Sequence, residues 1–302
     1  MRDGIGLLSG LCALLLLAAV LVGGAYAGCS SCAAGGGTWS SGLDFIGASA
    51  EAVSVMEKSP VGGLASATGS NGASVITARA LFEDMEGGSE KVVAYVGVPG
   101  EASYIEGSIH LPLEQVFGDD AALKSPTEIA ALFGAAGITE DDPLVIYGDY
   151  FLNGYDTFAF FVMKRLGHED VLLLDGTRGG REAAGLNFVP LPTPRSPETY
   201  SPDPNPDLLA DDERLSSSQV VDARSPAEYA AGHPDGAVNI DYSKVKGPNG
   251  LVGAQALSLA FSGLDKDQPV VVYPRQGGAS VVWYALYTQG YDVSLYALTG
   301  TS

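Results

Sequence analysis

Cysteine is nearly absent from this chain, and its placement matters more than its count. Cys12, Cys29 and Cys32 all lie near the N-terminus of a 302-residue sequence, and no cysteine follows. Everything after Cys32 therefore has no disulfide, no thiolate metal site and no thiol nucleophile of its own. Histidine is as scarce: His110, His168 and His233 stand far apart, with no carboxylates at metal-ligand spacing. Each reads as a loop or packing residue, and neither a metal nor a cofactor is expected. Basic residues are also few, 16 against 36 acidic ones, for a net charge of −20. That balance argues against nucleic-acid binding and disfavours docking by charge onto anionic lipid. The acidity reads as solubility in an exposed environment. What the chain does have is apolar content, 46% hydrophobic against 17% charged residues. Its length accommodates two domains of roughly 100–150 residues each.

Arg2 precedes an apolar run from Leu11 to Val22, and small residues follow up to Cys29. A basic start, an apolar stretch and a small-residue cut site make a secretory signal over residues 1–28. Counted from Ile5, the run approaches the lower limit of about 17 residues for a membrane span. Ala25-Tyr26-Ala27 fits ordinary cleavage. Ala27-Gly28-Cys29 fits a bacterial lipobox with Cys29 lipidated, although Tyr26 stands where Leu is usual. The Gly- and Ser-rich stretch from Ser30 to Gly42 supplies the flexible tether a lipoprotein needs. Lipidation is favoured over simple secretion, with an uncleaved anchor third. The expected location is the bacterial envelope, held at the outer membrane through lipid on Cys29; a secreted or soluble periplasmic form is the alternative. Cys29 and Cys32 form a Cys-x-x-Cys, but a Gly-rich tether offers none of the structure that a redox or metal pair requires. Ala33 stands where a haem-attachment motif has histidine.

The rest of the chain repeats itself. Pro143 to Tyr147 is an apolar strand, followed by a loop, an apolar helix from Phe158 to Leu166, Gly167, and a second apolar strand at Val171 to Leu174. Pro269 to Tyr273, a loop, Val281 to Thr288, Gly290 and Val293 to Tyr296 run through the same sequence of elements. Strands apolar on both faces and joined through a helix predict a parallel sheet covered on both sides. The glycine after each helix is a C-terminal cap. Trp283 and Tyr284 lie in an apolar helix and belong to the core. Between the copies, prolines at 190, 192, 194, 197, 202, 204 and 206 exclude regular structure and favour an extended linker. A proline-rich docking peptide is the sharper alternative.

Val220-Val221-Asp222-Ala223-Arg224, Glu228-Tyr229 and Gly232-His233-Pro234-Asp235-Gly236-Ala237 closely resemble the rhodanese motif, in which Asp-x-Arg is followed by Glu-Tyr and by Gly-His-Ile-Pro-Gly-Ala. The first copy is more degenerate. Val75 to Phe82 resembles the family's opening strand and helix, and Tyr104 to Pro112 resembles a shortened form of the Gly-His motif. The resemblance implies an α/β fold of two tandem rhodanese-like domains, each a mostly parallel sheet flanked by helices. The expected division is a signal at 1–28, a tether and extension at 29–74, domain 1 at 75–189, a linker at 190–207 and domain 2 at 208–302. The second domain stops at Ser302, where the family continues into a last helix. A covering helix is therefore expected to be missing there, which leaves an apolar face for a partner or marks a truncated chain.

In this family, activity runs through a Gly-rich loop that opens with a nucleophilic cysteine. Backbone amides and a helix N-terminus there lower the thiol pKa and cradle an anionic persulfide. The resemblance places Pro274 at that position. Arg275, Gly277, Ala279 and Ser280 match the family loop, which is here one residue short and lacks its second arginine. Proline carries no nucleophile and donates no amide. In domain 1 the equivalent lies near Asp149, and the loop carries two carboxylates, Asp149 and Asp156, that repel a dianionic donor. Ser280 has no base recognisable beside it. The resemblance makes Asp222 and Arg224 a structural pair beneath the loop. No catalytic residue is expected. Arg275, Gln276, Gly277, Gly278, Ala279 and Ser280 remain a possible site for a small oxyanion, weighed against a loop that only connects a strand to a helix. The leading expectation is a catalytically silent envelope lipoprotein that binds a protein partner. Sulfur transfer through Cys32 or a partner's thiol, and oxyanion or sulfur-compound binding without turnover, are the alternatives.

Overall fold

The computed structural model describes residues 74–97, 103–119, 122–248, 250–274 and 278–296. The signal, Cys29, Cys32 and the tether lie outside the described residues, as do Arg275, Gln276, Gly277 and everything after Tyr296.

The first repeat runs β1 (Val75–Ile76), α1 (Ala78–Glu86), β2 (Val92–Tyr95), β3 (Tyr104–Ile105), β4 (Ile109–His110), α2 (Pro126–Ala135), β5 (Leu144–Tyr147), α3 (Tyr155–Arg165), β6 (Val171–Leu174), α4 (Arg178–Ala183) and β7 (Phe188–Val189). The second runs β8 (Leu209–Ala210), α5 (Asp212–Ser217), β9 (Gln219–Asp222), α6 (Pro226–Ala231), β10 (Val238–Asn239), β11 (Lys246–Gly247), β12 (Gly250–Leu251), α7 (Ala254–Ala260), β13 (Val270–Tyr273), α8 (Ala279–Thr288) and β14 (Val293–Tyr296). The first main sheet has the order β1-β6-β5-β2-β4, and the second has β8-β14-β13-β9-β10. Every pairing in both is parallel. The repeat in the sequence is thus a repeat of topology, strand for strand.

Local sequence explains the elements. β2 and β5 read Val-Val-Ala-Tyr and Leu-Val-Ile-Tyr and are buried at every position, as a parallel sheet covered on both faces requires. Gly167 and Gly290, just past α3 and α8, adopt φ of 84° and 78°, a left-handed conformation that favours glycine. Two helices begin on the same Ser-Pro-x-Glu device. In α2 and in α6 the serine hydroxyl accepts the glutamate amide, while the glutamate carboxylate accepts the serine amide.

The repeats pack together through α3 and α8. Phe160 meets Tyr284 edge-on at 5.3 Å, and Phe161 meets Trp283 at 5.1 Å. Trp283 and Tyr284 are 0% and 1% exposed, as core residues. One apolar cluster draws from both repeats, and a second, around Ile76, Leu81, Val93, Val145, Leu174 and Leu186, serves the first repeat alone.

The proline-rich segment has no helix or strand until the single-turn helix at Pro206–Leu208. It is nevertheless not a free spacer. The amides of Thr193, Glu198, Asp203 and Asn205 donate to the carbonyls of Ser108, Gly134, Leu166 and Arg165 at 2.7, 2.8, 3.0 and 2.9 Å. A side chain at Gly134 would meet the Glu198 carbonyl at 2.5 Å, and one at Gly167 would collide with Asp203. Glycine at the ends of two helices thus lets the segment lie down as a strap across the first repeat.

Candidate functional site

In both repeats the middle strand of the sheet ends on a tyrosine. Tyr147 pairs with Tyr95, and Tyr273 pairs with Asp222. That register makes Gly148 the counterpart of Pro274, with Asp149 one residue further on. A loop leaving the carboxyl end of such a strand and entering a helix N-terminus is where parallel sheets hold ligands.

The first loop, Gly148 to Gly154, is filled by its own side chains. Asn153 Oδ1 accepts the amides of Tyr155 and Asp156 at 3.0 and 3.1 Å. The Asp156 carboxylate accepts the amides of Leu152 and Thr157, both at 2.7 Å. Four amides that face the loop are therefore bonded to two side chains of the loop itself. Asp156 is 1% exposed, and burial pushes its carboxyl above the usual range. Leu152 pays for this turn with a φ of 59°, a left-handed conformation rare outside glycine. Asp149 is the exposed carboxylate of the two and accepts the Tyr95 hydroxyl at 2.8 Å. The two acids of this loop therefore face different ways, one to solvent and one inward.

Beneath the loop lies Arg181, 1% exposed. Its guanidinium donates to the carbonyls of Asp175, Gly148 and Leu174 at 2.9, 2.6 and 3.0 Å. Burial brings it down to about 10, with Asp156 the main opposing influence. The ring of Tyr147 lies 5.4 Å from the guanidinium carbon.

The strand that leads into the second loop ends on a different support. Asp222, 0% exposed, and Arg224 meet as a bidentate pair, with Nε at 3.0 and 3.2 Å from the two carboxylate oxygens and Nη2 at 2.6 Å. Arg224 also donates to the Gly232 carbonyl at 2.6 Å, and Asn239 Nδ2 donates to the Asp222 and Arg224 carbonyls at 3.0 and 2.8 Å. The guanidinium lies 5.4 Å from the ring of Tyr273, the residue before Pro274. Pro274 is buried. Gly278, at the start of α8, lies so close to Tyr242 that a Cβ there would meet its ring atoms at 2.6 and 2.7 Å. Among the described residues, no acceptor meets the amides of Ala279 and Ser280.

Two contacts cross between the repeats beside these loops. Ser280 Oγ, fully buried, lies 2.8 Å from Thr157 Oγ1 and donates to the Gly154 carbonyl at 3.0 Å. Its bonded partners include neither an imidazole nor a carboxylate, so nothing there activates it as a nucleophile. Lys246 Nζ reaches from the second repeat to the Leu152 carbonyl at 2.6 Å and lies 4.7 Å from the centre of the Tyr150 ring. Burial lowers its ammonium, against the pull of Asp156.

Sequence reasoning missed Arg181, Asn153 and Lys246. Arg181 sits three residues after Arg178 in the same short helix, and only the buried sheet end beneath it separates the two. Asn153 had a local signal, a capping-type side chain just ahead of a helix whose partners lie two and three residues on; Lys246 had none, because its partner is set by the tertiary fold. Among the described residues, no three His, Cys, Asp or Glu side chains gather where a metal ion could sit.

Comparison with known proteins bears on these loops. The family described as the rhodanese-like domain matches residues 205–300. A sulfur carrier protein of Thermus thermophilus is 30% identical over 224 residues, which cover 63% of this chain and 78% of that protein. A putative thiosulfate sulfurtransferase of Saccharopolyspora erythraea is 29% identical over 51% of this chain and 64% of its own length. The chain thus spans under two thirds of that relative. Among solved structures, a 3-mercaptopyruvate sulfotransferase of Escherichia coli superposes with a TM-score of 0.66 at 21% identity, over 74% of this chain and 97% of that one. That likeness is one of fold.

Proposed function

The chain belongs to the rhodanese family, and from that premise we propose that it is a catalytically silent member acting as a binding or scaffold component of an envelope complex. One observation carries this reading. The two loops that leave the middle strands open with Gly148 and Pro274, and no cysteine occurs anywhere after Cys32. Relatives are named for thiosulfate sulfurtransfer, a reaction that in this family needs a thiolate at the loop. The first loop has moreover turned the amides of Leu152, Tyr155, Asp156 and Thr157 onto Asn153 and Asp156, so these four are not free to hold an external anion.

The proposal includes export and lipidation at Cys29, which would place the protein at the outer membrane beside a protein partner. Intact mass of the mature protein tests the anchor: a diacylglyceryl adduct on Cys29 supports it, and an N-terminus at Gly28 removes it. A thiosulfate-to-cyanide transfer assay on the same material tests silence. No turnover above the protein-free rate is expected. Turnover abolished by Cys32→Ser would establish the alternative, in which a tether thiol reaches a loop.

The amides of Ala279 and Ser280, which meet no acceptor among the described residues, favour a second reading, a small oxyanion held at the start of α8 without turnover. Thiosulfate titration by calorimetry decides it, and no heat at millimolar ligand removes it.

A further inference from the structure

The strap between the repeats is closed at one point by a buried histidine. His168 follows α3 and Gly167 and is 1% exposed. Its Nε2 lies 2.8 Å from the Asp142 carbonyl, which only accepts, so Nε2 carries the hydrogen. Nδ1 lies 3.0 Å from the hydroxyl of Tyr200, and in this tautomer it accepts while the phenol donates. Tyr200 belongs to the strap and is 6% exposed, with its ring centre 5.8 Å from the imidazole. The neutral imidazole is therefore the form that closes the joint. A second proton on Nδ1 makes the phenol turn and accept, and it leaves a cation in a site 1% exposed, with Lys164 Nζ bonded to the carbonyl of the same histidine.

We propose that the His168–Tyr200 contact is a pH-gated latch, in which protonation of His168 releases the strap from the first repeat while both sheets stay folded.

The charged groups around the imidazole are few and can be named. From α3, Lys164 Nζ donates to the carbonyls of His168 and Glu169 at 3.1 and 2.5 Å. Glu169 and Asp170 follow on the same turn. Asp142, ahead of β5, pairs with Arg195 of the strap at 3.4 Å. Glu140 accepts the Ser201 amide at 2.8 Å. Burial outweighs the neighbouring carboxylates and holds His168 below its ordinary value. The closed state therefore binds the second proton less readily than the open one. Closure is at full strength above about 6.5, the ordinary histidine value, and weakens by up to about tenfold per pH unit as pH falls below it. The Ser201 amide holds Glu140 below the usual carboxylate range. Its contribution is therefore lost only in a more acidic window, which separates the two effects.

Native-state hydrogen exchange on the full chain tests the latch, each rate divided by the intrinsic rate at the same pH. Between pH 6.5 and 5.5, protection of the Glu198, Ser201, Asp203 and Asn205 amides is expected to fall by up to about tenfold, while Ile146 and Val272 hold theirs. His168→Gln keeps a donor and an acceptor but does not titrate, so its strap stays protected at pH 7.5 and loses the pH dependence. Should that variant fail to fold, Tyr200→Phe serves instead: without the phenol, strap protection drops already at pH 7.5 and the slope flattens. The latch is overturned if the strap amides keep their protection to pH 5.5, or lose it in step with Ile146 and Val272. An NMR titration placing His168 at or above its ordinary value overturns it equally.

Discussion

The two loops of this molecule leave the same strand of the same sheet topology, yet they are held in opposite ways. The first is packed from inside. Arg181 ties three carbonyls beneath it, Asn153 and Asp156 bind its amides, and Tyr95 reaches Asp149 from the neighbouring strand. At the second, the Asp222–Arg224 pair lies against Tyr273, where the strand ends, and the amides at the start of its helix face no acceptor among the described residues. The same strand-to-helix turn is thus closed by its own carboxylate in the first repeat, while in the second no such side chain meets the helix amides among the described residues.

Substitutions separate the two designs. Arg181→Ala should have the largest effect. It strands three buried carbonyls and removes a cation beside Asp156, at a cost of about 3–5 kcal/mol in urea unfolding. A loss below about 1 kcal/mol would mean that the first loop is not held by this group. Asp222→Ala comes next, at about 2–3 kcal/mol, because Arg224 is partly exposed and recovers some hydration. Its counterpart Tyr95→Phe gives up a single bond to an exposed carboxylate and should cost less than about 1 kcal/mol. Equal losses at Asp222 and Tyr95 would erase the contrast between the supports.

A thiol placed at each loop probes the cradles directly, in a chain whose own cysteines are serine. Pro274→Cys should alkylate with iodoacetamide at least about tenfold faster at neutral pH than Gly148→Cys, because a helix N-terminus whose amides meet no acceptor among the described residues lowers a thiol pKa. At position 148 the amides are taken, and a Cβ collides with the Asn153 amide group. Equal rates would show that the second loop has lost its cradle along with its cysteine. A further small effect belongs to the contact between the repeats. Ser280→Ala removes the contact to Thr157 and the bond to the Gly154 carbonyl, to which Thr157 still donates, and should cost about 1 kcal/mol. A larger loss would make this hydroxyl pair a main joint between the halves.

Much of the fold was legible because it rests on local pattern. Apolar tetrads such as Val270 to Tyr273 and glycines such as Gly167 and Gly290 announce strands and helix ends within a few residues. The Asp-x-Arg at Asp222 and Arg224 was legible for the same reason, since its partners lie two residues apart. Arg181, Lys246 and the His168–Tyr200 joint were not. Lys246 and His168 make their contacts across tens of residues, as Arg181 does to Gly148, and burial of an arginine or a histidine is not written in the residues beside it. The proline-rich segment misled in one respect. Proline density excludes regular structure, but it does not say whether an extended chain floats or is bonded down.

Sequence by itself determined the repeat, the parallel sheets and the absence of a thiol from both loops, since these follow from apolar periodicity and from where cysteine does and does not occur. Only the tertiary structure decided that Asp156 turns inward while Asp149 faces water, that a lysine from the second repeat reaches the first loop, and that the linker is a strap. Those outcomes depend on which polar groups are stripped of water when the two repeats close on each other. Burial is a property of the packed whole, and no short stretch of sequence carries it.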